Sequence, residues 1–127
     1  MQNSTIPPEN AILKLTFQFA IRVVAFTHTL EAAKRYILAK QLFRSGTSIG
    51  ANVREAQGAE SLSDFIHKVK VAYKESEETM YWLEICERSK NYPNPHQLIK
   101  DVQEIKKVLG KIIASSIERK RRAQKGG

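Results

Sequence analysis

YILAKQLFRSGTSIGANVREAQG, residues 36–58, decides the fold. Its seam residues recur at four- and three-residue steps, Leu38, Leu42, Ser45, Ile49, Asn52 and Ala56, a period that belongs to a helix and not to a strand. Ser45 and Asn52 fall on that apolar seam, so buried polar groups in need of partners are expected. Gly46 and Gly50 lie inside the helix, where each costs about 1 kcal/mol against alanine. Close approach of a neighbouring helix would offset that cost. The cluster Ser45, Gly46, Thr47, Ser48, Gly50 and Ala51 presents almost no side-chain bulk to obstruct it. A phosphate-binding glycine loop would also use glycines, but no strand precedes Gly46 and no Lys-Ser/Thr pair follows Gly50.

The next segment supplies the partner. A helix over about 61–90 starts at Ser61, with Asp64 three residues on in a capping-box-like arrangement. Its seam runs Phe65, Val69, Ala72, Ser76, Thr79, Leu83 and Cys86, widened by Ile66, Tyr73 and Met80. The centre of this seam is again small and polar, so an antiparallel pairing brings two slim centres together. Tyr81 and Trp82 point about 100° apart, which predicts one ring toward the core and the other toward an interface or groove. NYPNP, residues 91–95, ends that helix and opens another over about 95–117, with Asn94 as cap and Pro95 at the first position. Its seam is Leu98, Val102, Ile105, Leu109 and Ile112.

On the N-terminal side, a helix over about 10–32 carries two stripes. One is Leu13, Phe17, Ala20 and Val24; the second is Phe19, Val23, Phe26 and Leu30. Two stripes imply two covered faces, so a homo-oligomer is expected, with the second stripe at the subunit contact. Helices over about 10–32, 36–58, 61–90 and 95–117 make an all-α, antiparallel, up-down-up-down four-helix bundle spanning residues 1–117. ERKRRAQKGG, residues 118–127, is expected as a basic disordered tail.

The 127 residues, 42% of them hydrophobic, suffice for one domain with a continuous core. Cys86 has no second cysteine to pair with, and the polar start MQNSTIPPEN lacks a secretory pattern, so a cytoplasmic protein is expected. Lys14, Gln18 and Arg22 interrupt the most apolar region, which argues against a membrane partner. The net charge of +8 is uneven: residues 1–58 hold 7 basic and 3 acidic groups, residues 59–117 hold 9 of each, and residues 118–127 hold 5 and 1. Polyanions are attracted to such regions because each phosphate contact releases condensed counterions.

Catalytic constellations are poorly represented. A di-iron bundle needs two Glu-x-x-His pairs and two further glutamates. The nearest match, Asp64-x-x-His67, spends its acid on a helix cap. His28, His67 and His96 do not pair at metal-ligand spacing with each other or with Cys86, which sits on a core seam. No enzyme, metal or cofactor is expected. Ser45, Asn52, Glu55, Lys74 and Glu78 are expected to form a structural polar network between the two slim helices, with Lys74 as counter-charge to the glutamates.

The run QLFRSGTSIGANVREAQGAESLSDFIHKVKVAYKESEETMYWLEI, residues 41–85, resembles the bacterial four-helix-bundle family encoded in intervening sequences of 23S ribosomal RNA genes. The resemblance is carried by Gln41, Arg44, Ser45, Ser48, Ile49, Asn52, Glu55 and Ala56, then Phe65, Lys74, Glu75, Glu78, Thr79, Tyr81, Trp82 and Leu83. It implies a protomer that assembles into a ring-shaped homopentamer. It also implies kinship with the accessory protein of diversity-generating retroelements, which binds nucleic acid and a reverse transcriptase. The second helix here closes on Glu55-Ala56-Gln57-Gly58, where many members have Glu-Gly directly.

The functional expectation is a non-enzymatic oligomer that binds structured RNA or DNA through phosphate contacts. The candidate residues are Arg22, Lys34, Arg35, Lys40, Arg44, Arg54, Arg119, Lys120, Arg121 and Arg122. Arg44 and Arg54 have a competing role as salt-bridge partners of the third helix. The alternative from another class is a protein-interaction adaptor whose basic tail only aids solubility.

Overall fold

The computed structural model describes residues 8–126, and side-chain burial from residue 11 onward. Residues 1–7 of the expected bundle and Gly127 of the expected tail lie outside that range. Four helices follow one another: α1 (Pro8–Ala32), α2 (Tyr36–Ala56), α3 (Leu62–Arg88) and α4 (His96–Gly126). α1 packs on α2 and α4, α3 packs on the same two, and α1 and α3 sit at opposite corners. This is the expected four-helix bundle.

The connections follow from local chemistry. The α1–α2 boundary, which holds no glycine or proline, is closed by a Schellman turn with Lys34 in the left-handed region, φ 63°. Arg35 N–H donates to Leu30 O and Lys34 N–H to Glu31 O, each at 2.8 Å. A lysine stands where glycine is usual, which is why the sequence hid the turn. The cap of α3 is as expected: Asp64 N–H donates to Ser61 Oγ at 3.0 Å, and Asp64 Oδ2 accepts from Glu60 N–H at 3.2 Å. At α4, His96 N–H donates to Asn94 Oδ1 at 2.9 Å.

The core is built from Phe19, Val23 and Leu30 of α1, Leu42, Ile49 and Val53 of α2, Leu83 of α3, and Val102, Ile105 and Leu109 of α4. Phe19, Val23 and Leu30 belong to the α1 stripe that was expected at a subunit contact. They are instead the protomer's own core, and the other stripe is outward, with Phe17 52% and Val24 45% exposed and Ile21 beside them at 56%. The two faces were assigned the wrong way round because both have the same period. Ala11–Ala32 is, by length and composition, apolar enough to cross a membrane despite Lys14, Gln18 and Arg22. One of its faces is the bundle core just named.

The slim residues of α2 serve two neighbours. Ser45 is fully buried opposite Thr79 of α3, as the antiparallel pairing required. Gly46 and Gly50 turn toward α1: a Cβ on Gly46 would stand 2.8 Å from Val23 Cγ2, and one on Gly50 3.2 Å from the Thr16 carbonyl oxygen. The close approach at these glycines is therefore α1 on α2. Val23 is β-branched and wholly buried, so it has little room to yield. Gly46→Ala is expected to destabilise the fold by about 1–3 kcal/mol, less any gain in helix propensity, read as a lower urea midpoint with unchanged slope.

The chain departs from expectation at its C-terminus. α4 does not stop near Ile117 but continues to Gly126. Ser116 is still buried, and beyond it Glu118 pairs with Arg121 and with Arg122, three and four residues on. Such pairs, and the absence of any glycine or proline between Lys111 and Lys125, sustain the last turns. A disordered tail is replaced by a helical one.

Candidate nucleic-acid interface

The expected binding residues separate into those with internal work and those without. Arg22 is bound to Asp101 of α4, Nη1 to Oδ2 at 3.1 Å, and Gln97 donates to the other carboxylate oxygen at 3.0 Å. A carboxylate as buried as Asp101 requires such partners. Arg35 lies 4.5 Å above the Tyr92 ring centroid and donates to Asn91 O at 3.1 Å, so it ties the α1–α2 turn to the α3–α4 connection. Arg44 reaches Glu78 at 2.6 Å and Glu75 at 3.3 Å. Arg54 stacks over Phe17, 5.5 Å from the centroid. Lys34 and Lys40 are exposed.

Arg44 makes the carboxylate pairing that the sequence offered as its competing role. It also corrects the expected network, because Lys74 is exposed and makes no ion pair among the described residues. Glu78 is served by Arg44 and by Trp82 Nε1, which donates at 3.0 Å; Glu55 is served by Lys68 at 3.5 Å. A guanidinium between two glutamates one turn apart is the stronger solution, since it offers several donors in a plane. The Ser45 and Thr79 hydroxyls are 3.0 Å apart. Thr79 has one proton, which it gives to Glu75 O at 2.8 Å, so Ser45 donates across the helix pair. Asn52 donates back along its own helix to Ser48 O at 2.8 Å.

Hydrogen bonds from Arg44 and then Trp82 hold the Glu78 carboxyl below the usual glutamate range, while Glu78 and Glu75 raise Arg44. A carboxyl depressed in the folded state adds stability that is complete above its unfolded pKa and lost as pH falls through the folded one. Thermal stability should therefore decline on acidification below about pH 4.5, the ordinary glutamate value. Glu78→Gln should narrow the gap between melting midpoints at neutral and acidic pH. Burial pushes the Cys86 thiol up to about 11, and its Sγ donates to Pro93 O at 3.3 Å, so it is a packing residue and not a nucleophile.

What sequence reasoning missed is α4 itself. Residues His96–Gly126 hold nine basic and three acidic groups, so most of the chain's excess charge is on one helix. Of the three acids, Asp101 is turned inward to Arg22, Glu118 is held by Arg121 and Arg122, and Glu104 is exposed between Lys100 and Lys107. At 100° per residue, Lys100, Lys107, Lys111, Arg121, Arg122 and Lys125 fall within an arc of about 100°, opposite the buried seam. All six are exposed. The track is about 38 Å long at 1.5 Å per residue. Arg119 and Lys120 lie outside that arc near its end. Dividing the charge count at residue 117 hid this track, because it cut one helix in two; the steps of seven and four from Lys100 to Lys107 to Lys111 were the available signal.

The family model for 23S rRNA-intervening sequence proteins matches residues 8–111, which takes in α1, α2, α3 and half of α4. The chain belongs to that family. Among solved structures, it is similar to a protein of unknown function from the S23 ribosomal protein family of Bacteroides thetaiotaomicron VPI-5482. The two are 39% identical with a TM-score of 0.80, over 85% of this chain and 99% of that one. No curated protein matches the chain. The family match places Arg44, Ser45, Glu75, Glu78 and Thr79, the polar contacts between α2 and α3, inside the shared segment, whereas Arg119 to Lys125 lie beyond it.

Proposed function

We propose that this member of the 23S rRNA-intervening sequence protein family is a non-enzymatic, homo-oligomeric nucleic-acid-binding protein that holds phosphate backbone along α4. The carrying observation is the exposed track from Lys100 to Lys125, where six cations on one arc of the helix outnumber the two acids that share it, Glu104 and Glu118. A helix spaces its cations at fixed intervals, so binding loses less conformational entropy than a disordered tail would. Phosphate contacts position a protein without reading bases, so affinity should depend weakly on sequence and steeply on salt. Binding of a labelled stem-loop RNA and a DNA duplex across a salt series tests this. No binding at low salt, or binding indifferent to salt, rejects it.

The oligomer is formed head to tail in this reading, and three observations support it. The outward stripe of α1 borders a groove of about 410 Å³ against α2, lined by Leu13, Phe17, Ala20, Gly50, Ala51 and Arg54. At the opposite corner of the bundle, α3 exposes Tyr81 at 58% and Ile85 at 37%. The charges around the two patches are complementary on balance: exposed Lys14 and Arg54 flank Phe17, where Glu55 is held by Lys68, while exposed Glu77 and Glu84 outnumber Arg88 around Tyr81. Different patches on different corners fit a heterologous contact, which closes into a ring; five-fold closure is what the family resemblance implies. α4 occupies neither corner, so every copy keeps its cationic track free. The family kinship extends the partner set to a reverse transcriptase.

A further inference from the structure

Tyr73 widens the α3 seam, and its half-buried ring borders a groove between α3 and α4. That groove, about 450 Å³, is lined by Tyr73, Gln103, Lys106 and Lys107. The ammonium of Lys106 lies 5.7 Å from the ring centroid, so the ring face it overlies is covered by a flexible side chain. Gly110, the α4 residue beside the ring, leaves the edge uncovered: even a Cβ there would reach no closer than 4.0 Å to Tyr73 Cε2. The Tyr73 hydroxyl makes no hydrogen bond to any described residue, and Lys70, one turn earlier on α3, adds a further exposed cation. An aromatic face, a side-chain amide and several ammonium groups therefore converge beside the phosphate track.

We infer that this groove is a nucleotide subsite in which the Tyr73 ring stacks an unpaired base and Lys106 and Lys107 hold the adjoining phosphates. The inference rests on the nucleic-acid reading above and narrows it: the preferred ligand has looped-out or single-stranded nucleotides beside its duplex. The chemistry favours a base over phosphate alone. An ammonium over an exposed ring is a weak contact, and stacking of a planar base on the same face is stronger, so Lys106 exchanges the ring for a phosphate when a base arrives. Gln103 presents both a donor and an acceptor to a base edge, which tolerates any of the bases in some orientation. The duplex part of the ligand continues along Lys107, Lys111 and the last turns of α4. Paired bases cannot reach Tyr73, because stacking within the helix covers their faces.

The test compares an A-rich single-stranded RNA of roughly 12 nucleotides with a duplex of the same length, each titrated by fluorescence anisotropy. Tyr73→Leu is expected to weaken the single strand about tenfold and leave the duplex within twofold. Tyr73→Phe should retain affinity for both, since the ring and not the hydroxyl does the stacking. Tyr73→Trp placed in a Trp82→Phe background supplies a direct signal: the single strand should quench the new indole and the duplex should not. Unchanged single-strand affinity in Tyr73→Leu, equal losses on both ligands, or no quenching overturns the inference. If Lys107→Gln with Lys111→Gln lowers both affinities while Tyr73 variants do nothing, stacking fails and the phosphate reading stands. If nothing binds at low salt, both fail. Melting curves of the Tyr73→Phe and Tyr73→Trp proteins confirm that the aromatic packing survives.

Discussion

Lys107→Glu, Lys111→Glu and Lys125→Glu introduced together are expected to lower affinity for nucleic acid by about two to three orders of magnitude at roughly 0.1 M salt. Each phosphate contact contributes a slope of about 0.9 in log K against log salt, which is close to one decade of affinity at that concentration. Loss of three contacts should also flatten the salt slope by about 3, a signature that misfolding would not produce. All three side chains are exposed and none makes an ion pair among the described residues, so the fold has no stake in their charge. Lys34→Glu is the control. It removes an exposed cation outside α4, at the α1–α2 turn, and should reduce affinity by no more than a few-fold through long-range attraction alone. Equal effects from the α4 and Lys34 variants would mean that net charge, and not the track, recruits the polyanion.

The bundle was legible in the sequence because its helices obey strong local rules. Four- and three-residue steps of apolar residues, a Ser61–Asp64 cap and the NYPNP punctuation act within one or two turns, and each reappears in the structure. The α1–α2 turn was harder, since Lys34 takes a conformation that its side chain disfavours and carries no breaker to announce it. The two stripes of α1 could be found but not assigned: period fixes which residues share a face, whereas which face meets the core depends on how Val23 meets Gly46 across the helix pair. The polar contacts failed in the same way. Arg44 and Lys74 are both plausible partners for Glu78 from spacing alone, and only the register of α2 on α3, pinned by Ser45 and Thr79, puts the guanidinium within reach. The interface was least legible. Arg22, Arg35 and Arg44 look like free cations in a list of residues, yet each has an internal anion, carbonyl or ring, and the groups left over include lysines of α4 that a count by segment had cancelled against acids mostly on α3.

Phe17→Asp and Tyr81→Asp, studied separately and then mixed, should behave in a way that only a head-to-tail contact allows. Each variant alone is expected to be monomeric, with light scattering giving a mass near 14.4 kDa, because every contact in the assembly would join one intact patch to one damaged patch. The first variant keeps an intact α3 patch and the second keeps an intact α1–α2 groove. Mixed in equal amounts, they should form a one-to-one heterodimer of twice that mass and no larger species, since the two remaining patches are both damaged. An aspartate at either position removes the ring's apolar area and must also shed hydration on assembly, a cost that nearby cations offset only in part. Arg54 would offer the new aspartate at position 17 an intramolecular counter-ion, which further masks the groove from a second copy. Both wild-type side chains are largely exposed, so neither change disturbs the protomer's core, and circular dichroism should show unaltered helix content. A two-fold contact using one patch on both copies predicts a different pattern: one variant would remain fully assembled alone and mixing would restore nothing. A wild-type protein that is monomeric at micromolar concentration would remove the contact altogether, while leaving the α4 track and its salt dependence to stand or fall on the binding measurements.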